Sequence, residues 1–113
     1  VQTTRPATAA NTTPVIFRRW RGKEGTIFAL FPTIPGGRAH LCLSYAHVGQ
    51  HGDADYHHCI RQSRPAKPEE YAALLHELQN LVGYEDLKVY RREAYWMTHE
   101  RTEEYYRMLK NQM

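Results

Sequence analysis

Four histidines, two aspartates and a cysteine fall within thirteen residues of this chain: His47, His51, Asp53, Asp55, His57, His58 and Cys59. Imidazole, thiolate and carboxylate are the donor types that hold zinc at about 2.0–2.3 Å, and His47, His51, His57 or His58 and Cys59 could close a tetrahedral site from a loop. Their spacing matches no strong template. His47 and His51 are four apart, as in helical two-histidine zinc sites, but Gly49 and Gly52 disfavour a helix there. Asp53 or Asp55 with a histidine could instead act as general acid and base. No nucleophile constellation accompanies them, and the two glycines alone do not make a phosphate-cradling loop. The plain alternative is a set of hydrogen-bonding loop residues. The expectation is therefore a protein with no catalytic residue, no bound metal and no other cofactor, with a metal-binding or metal-dependent protein using residues 47–59 as the alternative.

The second group able to do chemistry is cationic. The run VIFRRWR, residues 15–21, alternates as a strand does, with Ile16, Arg18 and Trp20 on one face and Val15, Phe17, Arg19 and Arg21 on the other. LKVYRR, residues 87–92, sets Leu87, Val89 and Arg91 against Lys88, Tyr90 and Arg92. If a helix covers one face of the sheet, Arg18, Arg19, Arg21, Lys23, Lys88, Arg91 and Arg92 form a basic surface interleaved with Trp20 and Tyr90. Guanidinium groups neutralise phosphates bidentately and aromatic rings stack on bases. These nine residues are the candidate site for nucleic acid, DNA or RNA, and a non-enzymatic nucleic-acid-binding accessory protein is the expected function. The competing account is a solvated outer face whose arginines keep edge strands from pairing with other chains. Arg61, Arg64 and Lys67 form a smaller basic cluster ahead of residue 68.

These residues need a frame. Residues 1–14 contain no Ile, Leu, Phe, Trp or Tyr and read as a flexible tail. After the strand at 15–21, GKEG offers a hairpin turn, TIFALF a second strand ended by Pro32, and HLCLSYAHV a third. Residues 49–65 read as a long polar loop. Tyr71, Leu74, Leu75, Leu78, Leu81 and Val82 then recur on one face of an α-helix, with Pro68 suited to its first turn and Gly83 to its end. A fourth strand covers 87–95. From Thr98 onward helix formers carry a narrow stripe of Tyr105, Tyr106, Met108, Leu109 and Met113, which must dock on its own domain or on a second copy, so a homodimer is expected. The fold class is α+β: a short antiparallel or mixed sheet of about four strands, one amphipathic helix on one face, and a C-terminal helical arm. The divisions are a tail at 1–14, a single domain at 15–97 and the arm at 98–113.

The net charge of +3 is unevenly spread, from +4 over residues 1–25 and +2 over 26–67 to −4 over 68–85 and +1 beyond. The helix is acidic and the strands are basic. The longest apolar run, Ile27 to Phe31, is five residues, against roughly 20 for a membrane span, and the N-terminal stretch has no apolar signal core. Two cysteines, Cys42 and Cys59, do not make a disulfide framework, so reduced thiols and a cytoplasmic location are expected. IFALFP at 27–32, SYAHVGQHG at 44–52 and RPAKPEEYAALLHEL at 64–78 together resemble small proteins of unassigned function encoded on bacterial plasmids, phages and other mobile elements. That resemblance spans about the middle half of the chain. It implies a bacterial, cytoplasmic accessory protein for which nucleic-acid binding is a natural role, and it carries no site residues.

Overall fold

Val15 to Trp20 places large side chains on both faces of one strand, and a strand of that kind is stable only where both faces are covered. The computed structural model describes residues 4–22, 24–47 and 50–112, and in it this strand is the centre of the fold. Among the described residues an open mixed sheet holds β1 (Thr13–Trp20), β2 (Ile27–Pro35), β3 (Leu41–Ala46), β4 (Gln50–Asp55), β5 (Ser63–Pro65) and β6 (Leu87–Tyr90). Three α-helices accompany it: α1 (Tyr56–Arg61), α2 (Pro68–Glu77) and α3 (Tyr95–Asn111). The expected four strands were too few. β1 to β4 form an antiparallel meander, so the sheet runs β4-β3-β2-β1. The other edge of β1 is divided, with residues 13–16 pairing in parallel with β6 and residues 18–20 pairing antiparallel with β5.

Each face of the sheet has its own cover. Val15, Phe17, Ala29, Phe31 and Tyr45 pack beneath Leu74 and Leu78 of the α2 segment. Fully burying a leucine contributes about 1.5–3 kcal/mol, which is why this periodic stripe holds the helix down. α2 opens at Pro68 and continues as one π-helical turn, Leu78–Val82, to Gly83 at φ 99°, where the amide donates back to the Leu78 carbonyl at 3.0 Å. The opposite face buries Ile16, Phe28, Leu30 and Cys42 against Tyr56 and Cys59 of α1. α3 lies on that side too, since the Arg101 guanidinium donates to the Pro32 carbonyl at 2.6 Å and the Glu93 amide donates to Tyr56 Oη at 2.7 Å. β2 continues past Pro32 to Pro35 because a register shift between Phe31 and Pro35 accommodates residues that cannot donate to the ladder.

Two expectations about chain segments change. Residues 49–65, read as a loop, supply β4, α1 and β5 among the described residues, with Asp55 capping α1 by accepting the His58 amide at 3.2 Å. Residues 4–12, read as part of a flexible tail, are docked. Arg5 bridges Glu100 of α3 at 2.6 Å, donates to the Ala9 and Thr12 carbonyls, and sits 5.1 Å over the Trp96 ring, leaving Ala9 fully buried. α3 therefore packs on its own domain through Trp96, Met97 and Arg101, while Tyr106, Met108 and Leu109 in its distal half stay exposed. No helix among the described residues is long and apolar enough to cross a membrane.

Arg101 is the polar anchor of α3. It pairs with Glu93 at 3.2 Å with both side chains buried, and Thr98 Oγ1 also donates to the Glu93 carboxylate. Burial pushes the Glu93 carboxyl pKa up while Arg101 holds it down. Breaking a buried ion pair by removing one partner leaves the other charge uncompensated. Arg101→Ala should cost about 3–5 kcal/mol in urea denaturation. Arg107→Ala, which loses only an exposed pair with Glu104, should change stability by less than about 0.5 kcal/mol.

Candidate functional site

The divided edge of β1 creates a recess. β6 ends at Tyr90 opposite Ile16 and β5 ends at Pro65 opposite Arg18, so Phe17 sits between the two strand ends, with its carbonyl accepting the Ala66 amide at 3.0 Å. From these ends the chain leaves toward opposite faces, through Ala66 to α2 on one side and through Arg91 to α3 on the other. As at the switch points of open sheets, segments that diverge in this way leave a crevice between them. Here it is a notch of about 440 Å³ lined by Phe17, Tyr71, Pro65, Pro68, Val89 and Tyr90, with Arg64, Lys67 and Arg91 contributing the charge. Phe17 and Tyr71 stack at 4.4 Å with nearly parallel rings.

Behind the notch Glu70 gathers four donors. Arg19 reaches its carboxylate at 2.5 Å, Arg64 donates twice at 2.8 and 2.6 Å, and the Lys67 amide donates at 2.9 Å. The Arg64 guanidinium first, and the Lys67 amide next, hold the Glu70 carboxyl well below the usual carboxylate range. Arg19 reaches Glu70 past Gly25, where any Cβ would lie 2.3 Å from the Arg19 Nε. One carboxylate thus neutralises one of two guanidiniums. Lys67 and Arg91 make no ion pair with any described residue. The local field is positive, and the charges of Arg21 and Arg91 add to burial in lowering the Arg18 pKa.

The nine strand residues singled out above do not share one open face, because both faces of the sheet are covered. Arg18 is buried, donating to Ser63 Oγ at 2.9 Å and to the Ser63 and Ile60 carbonyls, so it ties β1 to the α1–β5 segment. Trp20 stacks on Phe28 at 4.2 Å, Arg21 is exposed past the end of β1, and Lys23 lies outside the described residues. Lys88 donates to the Thr8 carbonyl at 3.1 Å and sits 5.5 Å from the Tyr90 ring centre. Tyr90 and Arg91 line the notch, Arg92 is exposed next to them, and Arg19 stands behind through Glu70. Phe17, Pro65, Pro68 and Tyr71 were not foreseen as site residues. Arg64 and Lys67 stood in a separate basic cluster whose nearness to Arg91 only the pairing of β5 and β6 with the same strand produces.

The histidine-rich segment is dispersed. His47 Nδ1 lies 2.5 Å from Glu77 Oε1, whose other oxygen accepts from Tyr45. His51 packs edge-on to Tyr45 at 4.7 Å with its Nε2 3.1 Å from Tyr84 Oη, Asp53 accepts the Gly37 amide at 3.0 Å, and His57 packs edge-on against Tyr56. Cys59 is buried against the sheet. No three His, Cys, Asp or Glu side chains among the described residues converge where they could hold a metal ion.

No protein family, curated protein or solved structure matches the chain.

The Glu70 cluster makes the pH dependence of the site checkable. A carboxyl whose folded pKa is depressed contributes stability that is fully present above the ordinary value of 4.5 and is lost as the pH falls through the depressed one. Thermal melts of Glu70→Gln should show a smaller loss of stability on acidification below about pH 4.5 than the unaltered protein. Parallel acid profiles for the two proteins would rule out this role for Glu70.

Proposed function

We propose that the protein is a non-enzymatic nucleic-acid-binding module and that the notch on the β1 edge is its contact surface. The observation that carries this is the pairing of an aromatic-lined recess with cations on both of its walls, two of which, Lys67 and Arg91, have no anionic partner among the described residues. Arginine and lysine without protein anions are free to neutralise phosphates, and each phosphate neutralised releases condensed counterions. The Tyr71 ring at the notch offers a surface on which a base of any sequence can stack. No recognition helix is needed: a contact of this kind meets the sugar-phosphate backbone and base faces rather than base edges in a major groove, so marked sequence preference is not expected.

The test is binding of fluorescently labelled oligonucleotides followed by anisotropy over a series of salt concentrations. Affinity should fall steeply with salt. Lys67→Ala and Arg91→Ala should each flatten the log–log slope by roughly 0.7–0.9. Arg92→Ala, outside the notch, should flatten it less. Absence of binding at low salt, or an unchanged slope in the Lys67→Ala, Arg91→Ala double variant, would remove the proposal.

A further inference from the structure

The notch differs from a flat basic patch in a way that narrows the ligand. It is recessed by the separation of β5 from β6, its volume of about 440 Å³ lies within the range of small-ligand pockets, and aromatic and proline side chains line it. Its cations come from two walls, Arg64 and Lys67 from the segment after β5, and Arg91 from the end of β6. A duplex keeps its bases paired and stacked inside, so it offers such a recess only phosphates and groove edges, and the aromatic walls gain nothing. A single strand can put one base out of the stack at little cost.

Resting on the nucleic-acid reading above, we infer that the notch takes one unstacked nucleotide of a single strand, its base against Tyr71 and the prolines Pro65 and Pro68. The phosphates on either side of that nucleotide meet Lys67 with Arg64 on one wall and Arg91 on the other. The ligand is therefore single-stranded DNA or RNA, chosen by base-face stacking and charge together. Neither duplex nor a bare polyanion satisfies both. Arg64 is held in place by Glu70, which fixes the position of that wall before any ligand arrives.

The inference is tested with the unaltered protein and a set of ligands of equal length: a single-stranded DNA, a single-stranded RNA, the matching DNA duplex, and a fully abasic strand that keeps every phosphate. At one low salt concentration at least one of the two base-bearing single strands should bind about tenfold or more tighter than both the duplex and the abasic strand. The DNA and RNA arms then identify the preferred sugar. Ultraviolet crosslinking of the tightest ligand should map to peptides containing Tyr71. Duplex or abasic strand binding as tightly as the base-bearing strands would overturn the single-nucleotide inference while leaving nucleic-acid binding intact. Crosslinks that all map elsewhere would overturn the placement. Binding of no ligand in the set would sink the underlying functional reading and the inference with it.

Discussion

The division of one edge of β1 between two strands is the constraint on which the rest of the molecule depends. A strand edge offers alternating amides and carbonyls that must be paired when buried. β6 satisfies the first half of this edge in parallel and β5 the second half antiparallel. Neither strand is long enough to do both. Because the two run in from different directions and end at the same place, they meet beside Phe17, whose carbonyl takes the Ala66 amide at 3.0 Å, and the residues at both ends are brought together there.

The helices follow from the same arrangement. β5 leads into α2, which must cover one face, and β6 leads into α3, which must help cover the other. With both faces occupied, β1 can carry Arg18 only if its guanidinium finds acceptors inside, and Ser63 with the Ile60 carbonyl provides them. Arg19, on the α2 side, is met by Glu70 at the start of that helix. Two consecutive arginines in a central strand are thereby put to different uses, one as an internal tie and one as part of the charged wall behind the notch. Of the α2 carboxylates, Glu70 has this origin, since it meets the guanidiniums of Arg19 and Arg64, whereas Glu77 meets Tyr45 and His47.

Much of this was legible along the chain and some was not. The stripe from Tyr71 to Val82 and Gly83 behind it specify α2 and its end, and the alternation of Ile16, Arg18 and Trp20 against Val15, Phe17 and Arg19 specifies which face each side chain takes. The sequence does not display what makes β4 a strand: QHGDAD has neither apolar alternation nor β-branched residues, and it is held by pairing with β3. β5 is three residues long and is likewise defined by its partner. Residues 4–12 carry no large apolar residue, and Arg5 docks them through charge and ring contact, which no apolar pattern displays. Of the candidate site, Tyr90 and Arg91 were visible as strand residues and Arg64 and Lys67 as a nearby cluster. Their meeting depends on two pairings to β1, between residues 43–47 apart for β5 and 74 apart for β6, which no local pattern encodes.

Residue-resolved mapping of the contact tests the central claim most directly. Backbone amide spectra of the isotopically labelled protein, titrated with a single-stranded oligonucleotide at low salt, should shift at Phe17, Ala66, Lys67, Tyr71, Val89, Tyr90 and Arg91, on both sides of the divided edge at once. Shifts confined to β4 or to the distal half of α3, with those amides unmoved, would contradict the account.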